Sequence, residues 1–412
     1  MSSRQVVITG IGAITSAGSS AHQMISSLKK GMTGFEYFNS DCVICAIKDF
    51  DLNDYTGRFK NKRYLNRGAS LAVAAAMTAI KNSCLDDDAL NKAGLYTGAG
   101  PNLDIENEFP EIKNHRADWQ KIQALWMLKF LPNTAASVIS QLAGIHGECI
   151  TFGTACAASL QAIGEAYRKI KDGYLDIALA GGGDSRLNSG AMMAYKKARS
   201  IYVGDDHPDH ASRPFDHNRK GFVPGEGAAF FMLEEKQHAM KRNADIHAEI
   251  LGFGVSIDGY RMTDPHPKGI YAQEAVMRSL QEANLNPKDI DVIASHGTGT
   301  VQNDRVEADL IDCVFGESAH VIALKSWIGH LSAACGAAEL SLCLACIKYN
   351  YIPEIRNLYN PCHSTVNFVR SPKKYSYRKL LLENFGFGGQ NCVIIIDCQK
   401  NRLDSGDMTF NS

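Results

Sequence analysis

Gly153-Thr154-Ala155-Cys156-Ala157-Ala158-Ser159 runs into a segment whose apolar positions are Leu160, Ile163, Tyr167 and Ile170, and after Gly173 the chain turns to Ile177-Ala178-Leu179-Ala180. Spacings of three, four and three put those apolar side chains on one face of a helix. Gly173 closes it, and the β-rich run that follows, with glycines at 181–183, returns the chain to a sheet. Turn, helix and strand in that order make the repeating unit of an α/β protein. The same stretch sets a cysteine at a helix start, where unpaired backbone N–H groups and the positive end of the dipole favour a thiolate. Small neighbours leave it room for a substrate. Most cysteines are simply core thiols, so Cys156 draws its weight from the rest of the chain.

Outward from this unit the alternation continues. Residues 6–9 and 95–98 read as strands on either side of a helix around residues 70–80. The pattern restarts near residue 246, with Ala248-Glu249-Ile250-Leu251-Gly252 as a strand, a helix near residues 272–283, and Asp291-Val292-Ile293-Ala294 as a strand. These repeats predict an internally duplicated α/β chain with halves 1–245 and 246–412, meeting in the polar stretch Lys241-Arg242-Asn243-Ala244-Asp245. If the halves stack back to back, loops at the carboxyl ends of strands from both face one cleft. Residues 102–121 and 202–213 read as surface excursions. The polar tail after Asp397 is expected to fray.

Forty-three basic against 44 acidic side chains leave a net charge of −1 over 412 residues, which gives no bulk field for nucleic acid or a membrane surface. The longest apolar region, 321–347, is broken by Lys325, His330 and Glu339, as a bilayer span would not readily be. Nothing at the N-terminus has the form of a signal segment. Twelve cysteines without a disulfide-framework spacing fit a reducing compartment, the cytoplasm. Cys42/Cys45 and Cys343/Cys346 have Cys-x-x-Cys spacing, but neither pair has adjacent histidines, and no metal site is expected. Thr9-Gly10-Ile11-Gly12-Ala13 lacks the third glycine of a dinucleotide fingerprint, and neither a phosphate loop nor a Gly-x-Ser-x-Gly elbow occurs.

Three further stations carry chemistry. His296-Gly297-Thr298-Gly299-Thr300 follows a strand pattern, placing an imidazole and two hydroxyls on a tight turn that can line a pocket. Lys325-Ser326-Trp327-Ile328-Gly329-His330 repeats the device, with the histidine heading a small-residue helix. Asn384-Phe385-Gly386-Phe387-Gly388-Gly389-Gln390-Asn391 is a glycine-rich loop feeding a strand, whose exposed N–H groups suit a developing oxyanion.

With Cys156, His296, His330 and this loop in order, the chain resembles the Cys-His-His condensing enzymes of the thiolase superfamily, the β-ketoacyl-acyl-carrier-protein synthases. The likeness spans nearly the whole chain. It includes Val6-Val7-Ile8-Thr9-Gly10-Ile11-Gly12, Ser212-Arg213-Pro214-Phe215-Asp216 and Gly221-Phe222-Val223-Pro224-Gly225-Glu226-Gly227-Ala228. It implies a five-layered αβαβα fold, a dimer, and no cofactor beyond the phosphopantetheine arm of an acyl carrier protein. Cys156 would carry the acyl group, with the N–H groups of Cys156 and Phe387 as oxyanion hole. His296 and His330 would assist decarboxylation of a malonyl group. Lys325 would orient His330 and hold Glu307; Thr298 and Thr300 would bind pantetheine; Asp304 and Glu307 would support the loop. Lys60, Lys62 and Arg63 fall where the family places its carrier-docking patch.

Departures from the family pattern shift the expected pathway. Arg219-Lys220-Gly221 stands for the usual Arg-Asp-Gly, Ile328-Gly329-His330 for Thr-Gly-His, and Gly388-Gly389-Gln390-Asn391 for Gly-Gly-Thr-Asn. Ile before Gly-His also occurs in catalytic subunits of aromatic polyketide synthases. The preferred reading is therefore a type II polyketide or polyene synthase, as a homodimer or paired with a chain-length-factor-like subunit. The alternative is a homodimeric 3-oxoacyl synthase of fatty-acid synthesis. A silent chain-length partner would lack the cysteine. A degradative thiolase would need a second cysteine in a Cys-x-Gly setting, which Cys392 and Cys398 do not have. A carrier-binding scaffold would dock but form no covalent adduct.

Overall fold

The computed structural model describes residues 4–105 and 122–398, with residues 112, 113, 116, 117 and 120 between them. Most of the expected excursion at 102–121, and the tail from 399, therefore lie outside the described residues. Ten strands form the main sheet: β1 (Val6–Ile14), β2 (Gly94–Gly98), β3 (Cys149–Phe152), β4 (Ile177–Ser185), β5 (Glu226–Glu235), β6 (Ala248–Ile257), β7 (Val292–Ala294), β8 (His320–Ile322), β9 (Lys379–Gly386) and β10 (Gln390–Asp397). Their order is β8-β7-β9-β10-β6-β1-β5-β4-β2-β3. Read outward from the centre, one half runs β1-β5-β4-β2-β3 and the other β6-β10-β9-β7-β8. The senses of pairing match as well: the first two contacts of each half are antiparallel and the last two parallel. The duplication predicted from the restart near residue 246 is thus written into the strand order.

Where the halves join, only residues 6–8 of β1 pair with residues 248–250 of β6. Directly after, the register shifts between Ile8 and Gly10 on one side and between Ile250 and Gly252 on the other. The two five-stranded halves diverge from that corner. Both strands continue as Gly-x-Gly, and the glycines have one purpose. A Cβ on Gly12 would meet the Ala75 carbonyl oxygen at 2.0 Å, and one on Gly254 the Ala275 oxygen at 1.9 Å. Helix α1 (Arg67–Ser83) and helix α3 (Ile270–Ala283) therefore lie backbone-to-backbone on β1 and β6. Close packing, rather than phosphate binding, accounts for the glycines.

Helices α2 (Ala158–Lys171) and α5 (Cys335–Lys348) fill the space between the halves. Along β10, Ile394 and Ile396 turn inward to these helices, while Val393 and Ile395 turn outward to α3. The first half has the same division, with Ala178, Ala180, Phe231 and Leu233 facing inward and Leu179, Phe230 and Met232 facing α1. A strand run with both faces buried is apolar on both, as residues 178–180, 230–233 and 393–396 are. Each fully buried aliphatic side chain contributes roughly 1.5–3 kcal/mol. The result is five layers: α1, half-sheet, α2 with α5, half-sheet, α3.

Two expectations need correction. The small-residue helix begins at Cys335, not at His330; a 3-10 turn, Ser332–Ala334, precedes it. The segment 202–213 is exposed only in its middle, since Tyr202 and Ala211 are buried against Val43 and Val223, and Ser212 donates to the Lys325 carbonyl. Cys42, Cys45, Cys343 and Cys346 are all buried, and neither pair joins a three-donor group among the described residues. No helix among them is long and apolar enough to cross a membrane.

Candidate active site

Cys156 Sγ and a ring nitrogen of each of His296 and His330 lie within 4.8 Å of one another. The first half supplies the cysteine and the second both histidines, as stacked halves require. Cys156 is the middle residue of the 3-10 turn Ala155–Ala157, which opens α2. Ala155 adopts φ 48°, a left-handed conformation costly for a residue with a side chain. The bend lifts the half-buried thiol into the cleft instead of the core.

His296 stands just after β7, on a loop held almost wholly by carboxylates of helix α4 (Val301–Phe315). Glu307 accepts from the backbone N–H groups of His296 at 2.5 Å and Gly297 at 2.8 Å. Asp304 accepts from the N–H groups of Phe215 at 2.7 Å, Thr298 at 3.1 Å and Gly299 at 3.1 Å. Arg219 clamps the same loop by donating to the carbonyls of Thr300 and Val301. Asp304 and Glu307 thus anchor the loop by its backbone N–H groups. Beside Glu307 lies Glu383: burial raises both carboxyls, with Asp304 repelling Glu307 and Glu307 repelling Glu383.

Both imidazoles have one nitrogen tied back into the protein. The Ser332 N–H donates to His330 Nδ1 at 3.0 Å, and the Asn384 amide approaches His296 Nδ1 at 3.4 Å. Each Nδ1 then acts as acceptor, leaving Nε2–H as a donor. Burial and the nearby Lys325 charge push His330 down to about 3 and His296 well below the usual histidine value. Two neutral imidazoles therefore face the cysteine. Burial also pushes the Cys156 thiol up to about 11, against the pull of Lys325 and the Phe387 N–H. A standing thiolate, expected from the helix start, is not what this apolar setting favours.

Lys325 is engaged elsewhere than expected. Its ammonium donates to Glu339 Oε1 at 2.6 Å in a fully buried ion pair, not to Glu307. Glu339 Oε2 in turn accepts from Asn384 at 2.8 Å, so the pair is connected to His296 rather than by a direct bond to His330. Sequence reasoning missed Glu339 and Asn384. The signal was present: a single carboxylate in the otherwise apolar α5 demands a buried cation.

A cavity of about 550 Å³ holds Cys156, His296 and His330, and Thr298, Thr300 and Phe387 line it too. The Phe387 N–H lies against the thiol, and a Cβ on Gly386 would come 3.2 Å from the Cys156 nitrogen, so the glycine loop abuts the nucleophile turn. Lys60, Lys62 and Arg63 share the 3-10 helix Lys60–Tyr64 and line no part of this cavity; Lys62 pairs with Asp51 at 2.9 Å and Arg63 leans on the Tyr64 ring. The exposed cations that do line it are Arg199 and Lys220, which the sequence reading did not select.

Residues 3–239 match the family described as beta-ketoacyl synthase, N-terminal domain, and residues 247–359 match its C-terminal domain. The chain belongs to the β-ketoacyl synthase family. This synthase is 34% identical to a putative mitochondrial 3-oxoacyl-[acyl-carrier-protein] synthase of Schizosaccharomyces pombe, over 95% of this chain and 98% of that one. It is 30% identical to putative polyketide beta-ketoacyl synthase 1 of Streptomyces halstedii, over 97% of this chain and 100% of the relative. Among solved structures, the ishigamide ketosynthase/chain length factor superposes with a TM-score of 0.87 at 27% identity, covering 97% of the synthase and 100% of that chain. The synthase is accordingly a condensing acyltransferase of thiolase-like fold.

Proposed function

We propose that the synthase elongates an acyl group on Cys156 by decarboxylative condensation with a malonyl group, both delivered on the pantetheine arm of an acyl carrier protein. The observation that carries this reading is the meeting of one thiol and two neutral imidazoles in a single cavity beside an exposed-amide loop. In the first stage Cys156 Sγ attacks the carrier thioester. Its bond to the acyl carbon forms as the carrier sulfur leaves with the thiol proton, and the N–H groups of Cys156 and Phe387 bind the oxyanion.

In the second stage the malonyl carboxylate leaves as carbon dioxide and its electron pair becomes an enolate. The Nε2–H groups of His296 and His330 donate to the enolate oxygen, a task for neutral imidazoles that gain no charge. The enolate carbon then bonds to the acyl carbon, and the cysteine sulfur departs as a thiolate that takes up one proton from solvent to restore the thiol. Thr298 and Thr300 hold the pantetheine arm. Lys325, through Glu339 and Asn384, positions His296.

The polyketide-type relative and the Ile328-Gly329-His330 departure favour a type II polyketide or polyene pathway, with a chain-length-factor-like partner subunit. The mitochondrial relative, at higher identity, favours a second reading, a homodimer in fatty-acid synthesis. The two halves, 1–245 and 246–412, act as one catalytic unit in either case, since the site draws on both. Mass spectrometry of the purified chain after exposure to acyl-carrier proteins tests the reading. An acyl mass on the Cys156 peptide, absent in Cys156→Ala, is expected; no adduct with the chain alone or with co-expressed partner subunits overturns it.

A further inference from the structure

The cavity around Cys156 contains a charge for which the condensation has no use. Arg186, 8% exposed, lines it together with Tyr195, Ser332 and Gly100. Asp184 holds one edge of the guanidinium, with Nε 3.1 Å from Oδ1 and Nη2 3.1 Å from Oδ2. Asp184 is itself fixed by the Ala333 N–H at 3.1 Å. A guanidinium has five N–H donors, and among the described residues Asp184 is the only side chain that this one hydrogen-bonds. Gly100 packs directly on it: a Cβ there would stand 1.9 Å from Nη2, so the missing side chain makes room for the guanidinium at the cavity wall. Beside it, the Tyr195 hydroxyl and Ser332 Oγ share a hydrogen bond at 3.0 Å and present two further polar atoms.

A saturated alkyl chain laid along this wall would cover buried donors without satisfying them, which is costly. An oxygen on the chain would satisfy them. Because Asp184 already neutralises Arg186, a neutral acceptor suits the site better than a second carboxylate. We propose that the acyl group carried by Cys156 is an oxygenated one, bearing a keto or hydroxyl group that Arg186, with Tyr195 and Ser332, recognises, and that these residues select it over a plain alkyl chain of the same length.

This rests on Cys156 being the acylated residue, and one experiment separates the two claims. Hexanoyl and 3-oxohexanoyl groups on the same acyl carrier protein are offered to the full chain, with any partner subunit it requires, and the rate of Cys156 acylation is followed by mass spectrometry. The 3-oxo group is expected to load roughly tenfold faster or more, since a site built to hydrogen-bond an oxygen discriminates strongly against its absence. Arg186→Gln and Tyr195→Phe should each narrow the ratio by slowing the 3-oxo group while sparing hexanoyl. A wild-type ratio of one or below overturns the proposal whether or not Arg186→Gln folds, and so does a ratio left unchanged by Tyr195→Phe and by a folded Arg186→Gln. Acylation by neither group would instead overturn the condensing role of Cys156, and the selection with it.

Discussion

The turn that presents Cys156 has a twin in the other half of the molecule. Ala155–Ala157 opens α2 and Ser332–Ala334 opens α5; their first residues have φ 48° and 50°, and Ala157 and Ala334 have nearly the same dihedrals before the helix starts. Cys156 and Ala333 are each the middle residue. Two residues before the first turn stands Gly153, and two before the second stands His330. Four residues past the start of α2 is Ala162; four past the start of α5 is Glu339. One backbone device, used twice, carries the nucleophile in one copy and its supporting polar groups in the other. Duplication supplied the convergence, and side-chain divergence made it an active site.

The largest effects come from exchanging the divergent residues. Cys156→Ala should abolish acylation and condensation, and Ala333→Cys in that background should not restore them, because the second turn's N–H is committed to Asp184. Intact-protein mass spectrometry reads both; an acyl adduct on the transplanted cysteine would mean the copies are interchangeable.

Acid and base should then separate the two copies. With the Cys156 thiol pushed up to about 11, its alkylation by iodoacetamide should accelerate about tenfold per pH unit between pH 7 and 10, without a plateau near neutrality. His330 behaves in the opposite sense. Its folded value of about 3 lies below the ordinary 6.5, so between those values the unfolded chain binds the extra proton and stability is lost as pH falls through that window. One such histidine contributes a slope of up to about 1.4 kcal/mol per pH unit. Urea unfolding of His330→Gln from pH 7 to 5 should therefore show a shallower loss than wild type.

Lys325 and Glu339 sharpen the contrast with Ala162. Removing either member alone strands a buried charge, and each of Lys325→Met and Glu339→Ala should cost about 3–5 kcal/mol by denaturant unfolding. The double replacement should recover a large part of that stability but not the condensation rate. Equal losses in the single and double variants would mean that the pair is not a coupled unit.

Much of this was legible in the sequence, because function here resides in short runs with unusual local demands. Cys156, His296, His330 and the Phe387 loop could be picked out because each sits at a glycine- or small-residue-rich turn beside a strand or helix. The αβαβα layering came with the family resemblance, and runs such as residues 392–396 were legible only as buried strands, apolar on both faces. What escaped were long-range pairings. Nothing local in Lys325 distinguishes Glu339 from Glu307 as its partner, since both are buried carboxylates and only the third dimension chooses. Arg186 escaped for the same reason, its meaning depending on a cavity shared with residues from both halves. The thiolate expectation failed because a helix start was weighed without the desolvation that surrounds it.

Backbone contacts offer a gentler test of how far the halves remain equivalent. A methyl group on Gly12 or Gly254 would meet a helix carbonyl at 2.0 or 1.9 Å, and the rigid neighbour must move in either case. Gly12→Ala and Gly254→Ala should each destabilise the chain by about 1–3 kcal/mol, and by similar amounts. A large inequality in thermal unfolding would indicate that one half has acquired slack the other lacks.

The smallest effect bears on the turns themselves. Ala155 and Ser332 both adopt a left-handed conformation that costs a residue with a side chain about 1–2 kcal/mol, and glycine removes that cost while adding about 0.5–1 kcal/mol of unfolded-state entropy. Ala155→Gly should therefore gain about 0.5–1 kcal/mol. Ser332→Gly gains the same relief but gives up the hydrogen bond to Tyr195, a loss of about 1 kcal/mol, and should come out near neutral. Acylation should follow stability in neither variant: Ala155→Gly loosens the turn that aims the thiol and should slow acylation a few-fold despite the firmer fold. A faster Ala155→Gly enzyme would show that the strained turn is inherited from the duplicated backbone and has no part in presenting the nucleophile.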